Sequence, residues 1–313
     1  MSHPLLSLDR TSPVIVQGIT GRMGRRHAGL MRAYGTNIVG GTSAHSDGKA
    51  VDGMPVFADC RDAVAATGAV ASIAMTPPHD TLAAATQAFA AGVKIVVTVA
   101  EGVPVHDALR LKAVARAHDA VWLGASTPGM AIPGRVKIGF LPDIALRPGS
   151  IALMSKSGTL SYEVGFRLAA RGLGTRFWIG VGGDSVKGVR FADMLQPFVD
   201  DVATKAIIVI GEVGGSEEEE FAERLAALHT DKPVLALIAG REAKEGVAMG
   251  HAGALTFGAT GTLRSKHEHL ARAGAGVFSS ISALVDASIA LLREPAPPVK
   301  DEKAPSRPST LRW

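Results

Sequence analysis

The chain carries a single cysteine, Cys60, among 313 residues. One thiol cannot form an internal disulfide or a cysteine-based zinc site. It fits a reducing compartment, and a cytoplasmic location is expected. Aromatic residues make up only 5% of the sequence, and no basic run is interleaved with them. The charge balance is thin, at 33 Lys+Arg against 29 Asp+Glu, a net +4. Neither feature builds a nucleic-acid footprint, so no nucleic-acid partner is expected. No uninterrupted apolar run reaches the roughly 18 residues that a membrane span needs, so no membrane association is expected. The start of the chain lacks a charged-then-apolar signal pattern. No repeat of period 20–50 is evident, no Walker lysine motif is present, and no metal site is expected.

What the chain has in quantity is small and aliphatic residues: 47% hydrophobic overall, with 36 glycines. That mix suits helices packed closely on parallel sheets. Short apolar runs alternate with amphipathic segments. Strands are expected at Pro13–Gln17, Asn37–Gly40, Ala69–Met75, Lys94–Val99 and Ala120–Leu123. Helices are expected from about Met23 to Tyr34, His79 to Ala91 and Asp107 to His118. Residues 1–124 therefore read as a Rossmann-type domain. The stretch 125–149 holds Pro128, Pro133, Pro142 and Pro148 with scattered glycines and reads as an ordered linker. Alternation resumes over 150–293. Strands are expected at Ser150–Met154, Thr175–Gly180, Ala206–Ile210, Pro233–Ile238 and Gly274–Phe278. The helices expected between and after them run over Thr159–Arg171, Phe191–Val199, Glu217–Leu228, Leu263–Ala273 and Ile281–Leu292. Five strands with intervening helices predict a flavodoxin-like second domain. The segment 294–313 is rich in proline and charge and reads as a frayed tail. The fold class is thus α/β, a Rossmann-type domain followed by a flavodoxin-like parallel-sheet domain.

Five loops carry candidate chemistry. Gly18-Ile19-Thr20-Gly21-Arg22-Met23-Gly24 lies where a strand hands over to a helix, and backbone N–H groups there suit a phosphate. Ile19 stands where the dinucleotide fingerprint wants its first glycine. The second strand ends in Gly40-Gly41-Thr42-Ser43 rather than in the acid that a NAD ribose needs, and His45 and Lys49 follow. A phosphorylated ribose, as in NADP or coenzyme A, suits that loop better than a bare diol. Ser155-Lys156-Ser157-Gly158-Thr159 opens a helix and can cap it or hold an anion. Glu212 falls at a strand end, where open α/β sheets place ligands. His251, in Met249-Gly250-His251-Ala252-Gly253-Ala254, has only small neighbours, and a neutral imidazole is a competent nucleophile. A carboxylate such as Glu212 could orient it. The run Ser216-Glu217-Glu218-Glu219-Glu220 reads as a helix start, with Ser216 as cap and the acids complementing the dipole rather than doing chemistry.

Taken in order, these motifs give the chain a strong resemblance to the α subunit of succinyl-CoA synthetase, from about Val14 to Leu292. They are Gln17–Gly21, Ser155–Glu163, Gly180–Asp184, Ile210–Gly215 and Met249–Ala254. The resemblance implies an acid–thiol ligase that forms acyl-CoA with release of nucleoside diphosphate and phosphate. By the same resemblance His251 is the phosphorylated histidine and Glu212 the glutamate that contacts it. Ser155, Ser157, Gly158 and Thr159 start the helix that holds the phosphoryl group. Thr20, Gly21, Arg22 and Met23 match a coenzyme A-binding turn, and Val99, Ala100 and Glu101 match a second coenzyme A contact. Lys49 is the nearest candidate for a coenzyme A-contacting lysine, and Tyr162 matches a tyrosine at the substrate end. An ATP-grasp β subunit, in a heterodimer or heterotetramer, is implied as the carrier of nucleoside triphosphate, Mg²⁺ and part of the carboxylic-acid site.

The chain departs from the family's pattern at several places. Gly124-Ala125-Ser126-Thr127-Pro128-Gly129 replaces the usual Gly-Pro-Asn-Cys-Pro-Gly beside the thiol and acid. After Asp184 the usual proline-containing loop becomes Ser185-Val186-Lys187-Gly188-Val189-Arg190. Val247 and Ala248 replace basic residues. These changes predict a paralogue for a different small acid, such as malate or a substituted succinate. A non-catalytic coenzyme A-binding or regulatory subunit is an alternative that the altered 124–129 loop raises. An NADP-linked reductase would use the first glycine turn but leaves His251 and Glu212 without a role.

Overall fold

Two sheets of seven strands each, with parallel pairing dominant, organise the computed structural model, which describes residues 3–44, 48–240, 246, 251, 253–256 and 260–292. The first half runs α1 (Pro4–Ser7), β1 (Val14–Gln17), α2 (Arg22–Tyr34), β2 (Ile38–Thr42), β3 (Ala50–Val51), β4 (Met54–Phe57), α3 (Cys60–Thr67), β5 (Ala71–Ala74), α4 (Thr81–Ala90), β6 (Ile95–Thr98), α5 (Val105–Ala117) and β7 (Val121–Gly124). Its strand order is β3-β4-β2-β1-β5-β6-β7. The chain reverses its direction of travel at β1, the switch point where Rossmann folds bind their ligands. Strands β1, β5 and β6 are buried on both faces, which is why they read as unbroken apolar runs.

The second half runs β8 (Gly129–Ile132), β9 (Val136–Gly139), β10 (Pro148–Ser155), α6 (Gly158–Ala170), β11 (Thr175–Gly180), α7 (Phe191–Asp200), β12 (Ala206–Glu212), α8 (Glu217–Leu228), β13 (Val234–Ala239), α9 (Leu263–Arg272), β14 (Gly276–Phe278) and α10 (Ile281–Leu292). The order β14-β13-β12-β10-β11 is the flavodoxin-like arrangement expected. The stretch read as a linker does more than connect. It forms the antiparallel hairpin β8–β9, which extends the second sheet through pairing of β8 with β11. Prolines and glycines there mark the ends of the hairpin strands. Gly129 and Gly139 pair across it, and a Cβ on Gly129 would lie 2.0 Å from the Ile138 carbonyl oxygen. The tail 294–313 lies outside the described residues.

The halves are tied together. Thr36 Oγ1 donates to the Lys137 carbonyl at 2.7 Å and accepts from the Lys137 N–H at 3.0 Å. Val189 N–H donates to Trp122 O at 2.9 Å, and Gly188 N–H to Gly124 O at 2.9 Å, so the loop after β11 runs along the edge strand β7. No side chain fits at position 188, where a Cβ would stand 1.9 Å from Trp122 O. Cys60, at the start of α3, is fully buried, and burial pushes its thiol up to about 12. We therefore expect no reaction of the native protein with a thiol-specific alkylating reagent at pH 8, and one equivalent of label after denaturation. Rapid labelling of the native state would contradict this burial. No helix among the described residues is long and apolar enough to cross a membrane.

Candidate active site

Ser155 pairs with Gly180 on one side and Ile210 on the other, so β10, β11 and β12 reach their C-terminal ends at one level. Val181 N–H donates to Ser155 O at 2.8 Å, and Lys156 N–H to Ile210 O at 3.0 Å. The three following turns therefore converge on one edge of the sheet, where open α/β folds bind ligands.

His251 and Glu212 meet there. Glu212 ends β12 and is largely buried, and its Oε2 lies 2.5 Å from His251 Nδ1. A carboxylate only accepts, so Nδ1 carries the proton and the lone pair sits on Nε2. The hydrogen bond to Glu212 raises the imidazole pKa above its ordinary 6.5; burial works against it, and the charges of Glu212 and Glu101 add to it. The imidazole is about one-third exposed, open enough for a reactant to reach it. Glycines make its seat. A Cβ on Gly183 would fall 2.6 Å from the His251 ring, and one on Gly214 would fall 2.2 Å from Gly253 O. Gly214 adopts φ +91°, a conformation that suits glycine. Gly253 N–H donates to Gly183 O at 3.2 Å. Of the expected histidine loop, residues 247–250 and Ala252 lie outside the described residues. Gly183→Ala is expected to push the ring out of register with Glu212. Any phosphoryl uptake at His251 should then fall by about 10²-fold, while coenzyme A affinity, measured by calorimetry, stays unchanged.

The α6 N-terminus faces the same edge. Ser155 Oγ donates to Ser157 O at 2.6 Å and accepts from Ser157 N–H at 3.0 Å, and Ser157 Oγ caps the helix by accepting from Leu160 N–H at 3.3 Å. Among the described residues the N–H groups of Gly158 and Thr159 find no acceptor, which leaves the positive helix end free for an anion. Tyr162 lies one turn in, its ring centroid 6.4 Å from that of Trp178. A Cβ on Gly158 would stand 3.4 Å from Tyr162 Oη and from Pro128 Cβ, which brings the 124–129 loop against α6. Thr127 Oγ1 is buried and donates to Gly180 O, whereas Ser126 is half-buried and its N–H donates to Ala100 O at 2.9 Å. The loop with Val99, Ala100 and Glu101 thereby meets the 124–129 loop.

The β1–α2 turn has the close packing expected of a phosphate-binding turn. Gly18 takes φ +76°, and a Cβ on Gly24 would lie 2.1 Å from Gly18 O. Thr20, Gly21, Arg22 and Met23 are all exposed at the start of α2, and Thr20 Oγ1 donates to Ser43 Oγ at 2.9 Å. Ile19 is fully buried against β2, and a Cβ on Gly41 would come within 2.6 Å of Ile19 Cβ. Gly41 is thus the counterpart of Ile19, a packing reason for the missing acid at the end of β2. Lys49 is exposed just before β3; His45 lies outside the described residues.

The acidic run after Ser216 departs from its sequence reading. Ser216 makes no cap bond; its Oγ donates instead to Glu220 Oε1 at 2.6 Å. Glu217, Glu218 and Glu219 are buried and meet the buried lysines Lys156, Lys187 and Lys266. Burial raises the Glu217 pKa, but Lys187 and Lys156 outweigh it and hold the carboxyl down at about 2. Asp184 is buried beside the pair. Its burial and the charge of Glu101 raise its pKa, against the pull of Lys187 and His251. A cavity of about 340 Å³ opens between Lys156, Asp184, Lys187, Glu212 and Glu217. Among the described residues no cluster of three or more His, Cys, Asp or Glu could hold a metal.

A tight glycine turn at one switch point and a carboxylate-oriented histidine at the edge of a second sheet accompany the sequence of a CoA ligase of the acid–thiol class. Family models agree on both halves: a CoA binding domain over residues 9–102 and a CoA-ligase domain over 154–276. The chain is 41% identical over 281 residues to succinate–CoA ligase [ADP-forming] subunit alpha 1 of Archaeoglobus fulgidus, covering 90% of this chain and 96% of that one. It is 37% identical over 286 residues to a subunit of the ADP-forming sulfoacetate–CoA ligase of Bilophila wadsworthia (90% and 98% covered). It is also 37% identical over 269 residues to the malate–CoA ligase subunit alpha of Methylorubrum extorquens (85% and 90% covered). The fold matches ATP citrate lyase from Methanothrix soehngenii, solved with citrate and coenzyme A, with TM-score 0.80 at 23% identity over 93% of this chain and 53% of that one. The chain belongs to the family of succinate–CoA ligase alpha subunits.

Proposed function

We propose that the chain is the histidine-bearing subunit of a ligase that joins a small carboxylic acid to coenzyme A at the expense of a nucleoside triphosphate. The observation that carries this reading is the 2.5 Å contact between His251 Nδ1 and Glu212 Oε2. It leaves Nε2 as the nucleophile. In the first step Nε2 bonds to the terminal phosphorus and the bond to the bridging oxygen breaks, releasing nucleoside diphosphate. In the second, a carboxylate oxygen of the acid takes the phosphoryl group and His251 is restored. In the third, the coenzyme A sulfur bonds to the acyl carbon and phosphate leaves. Glu212 stabilises the cationic ring while the phosphoryl group is attached, and the α6 N-terminus stabilises the phosphoryl oxygens.

The β1–α2 turn with Thr20, Gly21, Arg22 and Met23, the Val99–Glu101 loop and Lys49 are proposed to hold coenzyme A. A separate ATP-grasp subunit is proposed to bind the nucleotide and Mg²⁺, in a heterodimer or heterotetramer. The acid is proposed to be a short dicarboxylate with a substituent, as in malate. Ser126, where the resembling family has asparagine, is smaller and presents a hydroxyl beside Thr127.

Neutral imidazole is the reactive form, so its raised pKa sets the acid limb of phosphoryl uptake. In the complex with its nucleotide-binding subunit, labelling from radiolabelled ATP or GTP is expected to rise with pH through a midpoint above 6.5. Glu212→Gln can donate to Nδ1 and so select the unreactive tautomer. It should slow labelling by about 10²-fold or more. A midpoint below the ordinary imidazole value, or full labelling in Glu212→Gln, contradicts the reading. A panel of succinate, malate and 2-methylsuccinate with coenzyme A and ATP then identifies the acid.

A further inference from the structure

We propose that Glu217, Glu218 and Glu219 with Lys156, Lys187 and Lys266 form a charge-neutral buried clamp that positions the imidazole of His251 by tying together the loops around it. The proposal rests on the reading of His251 as the phosphoryl acceptor. Three carboxylates on the first turn of α8 face three ammonium groups from three other segments, and each lysine reaches into a different loop.

Lys187 controls the loop on which the ring rests. Its Nζ donates to Gly182 O at 2.6 Å and stands 2.8 Å from Glu217 Oε2. The next residue, Gly183, is the one whose missing side chain the His251 ring occupies. Glu217 Oε1 meanwhile accepts from Phe191 N–H at 3.0 Å, fixing the far end of the same loop. Glu218 controls the partner carboxylate. Its Oε1 accepts from the Glu212 N–H at 3.0 Å, and its carboxylate pairs with Lys156, in the turn that opens α6, at 2.8 Å. Lys266 closes the circuit. It contacts Glu218 at 2.5 Å and Glu219 at 2.9 Å, and it donates to Gly215 O at 3.0 Å. Glu219 Oε1 accepts from Gly261 N–H at 3.1 Å, at the entrance to α9.

A buried network of this kind is poor evidence for added stability, because well-packed apolar residues would serve as well. Six desolvated charges next to the histidine loops, five of them also hydrogen-bonded to backbone groups, point to geometry as their use. Lys187 has a second effect. Its charge opposes protonation of His251, whereas Glu212 from β12 and Glu101 from the loop after β6 favour it. Asp184, on the Lys187 loop, faces the ring as well, and His251 in turn lowers the Asp184 pKa. The clamp therefore seats the ring, and Lys187 within it works against the ring's protonation. None of the six residues touches a reacting atom in this scheme, so they are positioning residues.

Lys187→Met leaves Glu217 its contact with Lys156, and Lys187→Gln, which removes the same charge but keeps a hydrogen-bond donor, serves should the first variant not fold. Two readouts apply to each: the protonation midpoint of the His251 ring by nitrogen-15 NMR titration of the chain alone, and phosphoryl uptake from MgATP in the complex with the nucleotide-binding subunit. The midpoint is expected to move upward from the wild-type value. Uptake at pH 7 is expected to slow by at least about tenfold, with coenzyme A affinity unchanged. Wild-type uptake with an unmoved midpoint overturns the proposal. So does slower uptake with an unmoved midpoint, which would make Lys187 a structural ion pair only. A wild-type chain that takes no phosphoryl group, with a midpoint that still moves in Lys187→Met, overturns the phosphohistidine reading and leaves the clamp standing.

Discussion

His251→Asn is expected to abolish acyl-CoA formation, with a loss on the order of 10⁴-fold or more in turnover. Asparagine can still reach Glu212, so the local packing survives, but it offers no lone pair to phosphorus. The loss is therefore chemical. Thermal stability should change by little, because the imidazole is partly exposed and the Gly183 and Gly214 seats remain. Coenzyme A affinity should also be unchanged, since the β1–α2 turn proposed to hold it lies on the other sheet. The coupled assay with ATP, coenzyme A and the preferred acid checks this. A variant that retains even a tenth of the wild-type turnover would remove His251 from the reaction path.

Glu218→Ala carries the largest expected effect on stability. Glu218 is fully buried and bonds to two lysines and to a backbone N–H. Truncation leaves Lys266 with Glu219 alone and Lys156 with Glu217 at 3.5 Å. The Glu212 N–H loses its acceptor as well. Breaking a buried pair from one side costs about 3–5 kcal/mol, because an uncompensated charge stays buried. For a chain of this size that lowers the melting temperature by on the order of 10 °C. Glu218→Gln keeps the volume and the acceptor and should cost less. Circular dichroism melts of both variants decide the matter; an unchanged melt for Glu218→Ala would show that water reaches this network.

Much of the fold is legible in the sequence because parallel strands buried on both faces leave unbroken apolar runs. Ile95–Thr98 and Ala206–Glu212 are of this kind. The elements that escape are those without such a run. Met54–Phe57 has a proline and an exposed side chain at Pro55, and it lies next to the sheet edge. The β8–β9 hairpin is bounded by prolines and glycines, the same residues that mark a linker. In the site, His251 and Glu212 are legible through the order of their motifs. Their partnership is implied by the resemblance, while its geometry, a contact across 39 positions, is visible only in the fold. The acidic run misleads for a related reason. Four glutamates after a serine match a dipole-complementing helix start, and the lysines that neutralise them lie far along the chain, Lys156 being 62 positions from Glu218. Asp184 belongs to a motif visible in the sequence, yet only its burial beside His251 gives it a place in the site.

In the proposed reaction a phosphoryl group resides on His251 between two half-reactions. The complex with its nucleotide-binding subunit can be charged with MgATP in the absence of coenzyme A and acid, then digested at alkaline pH and mapped by mass spectrometry. One phosphoryl group, labile to acid, is expected on the Nε2 nitrogen of His251, discharged on addition of the acid and coenzyme A. Phosphate on any other residue, or a complex that makes acyl-CoA with His251 never phosphorylated, would contradict it.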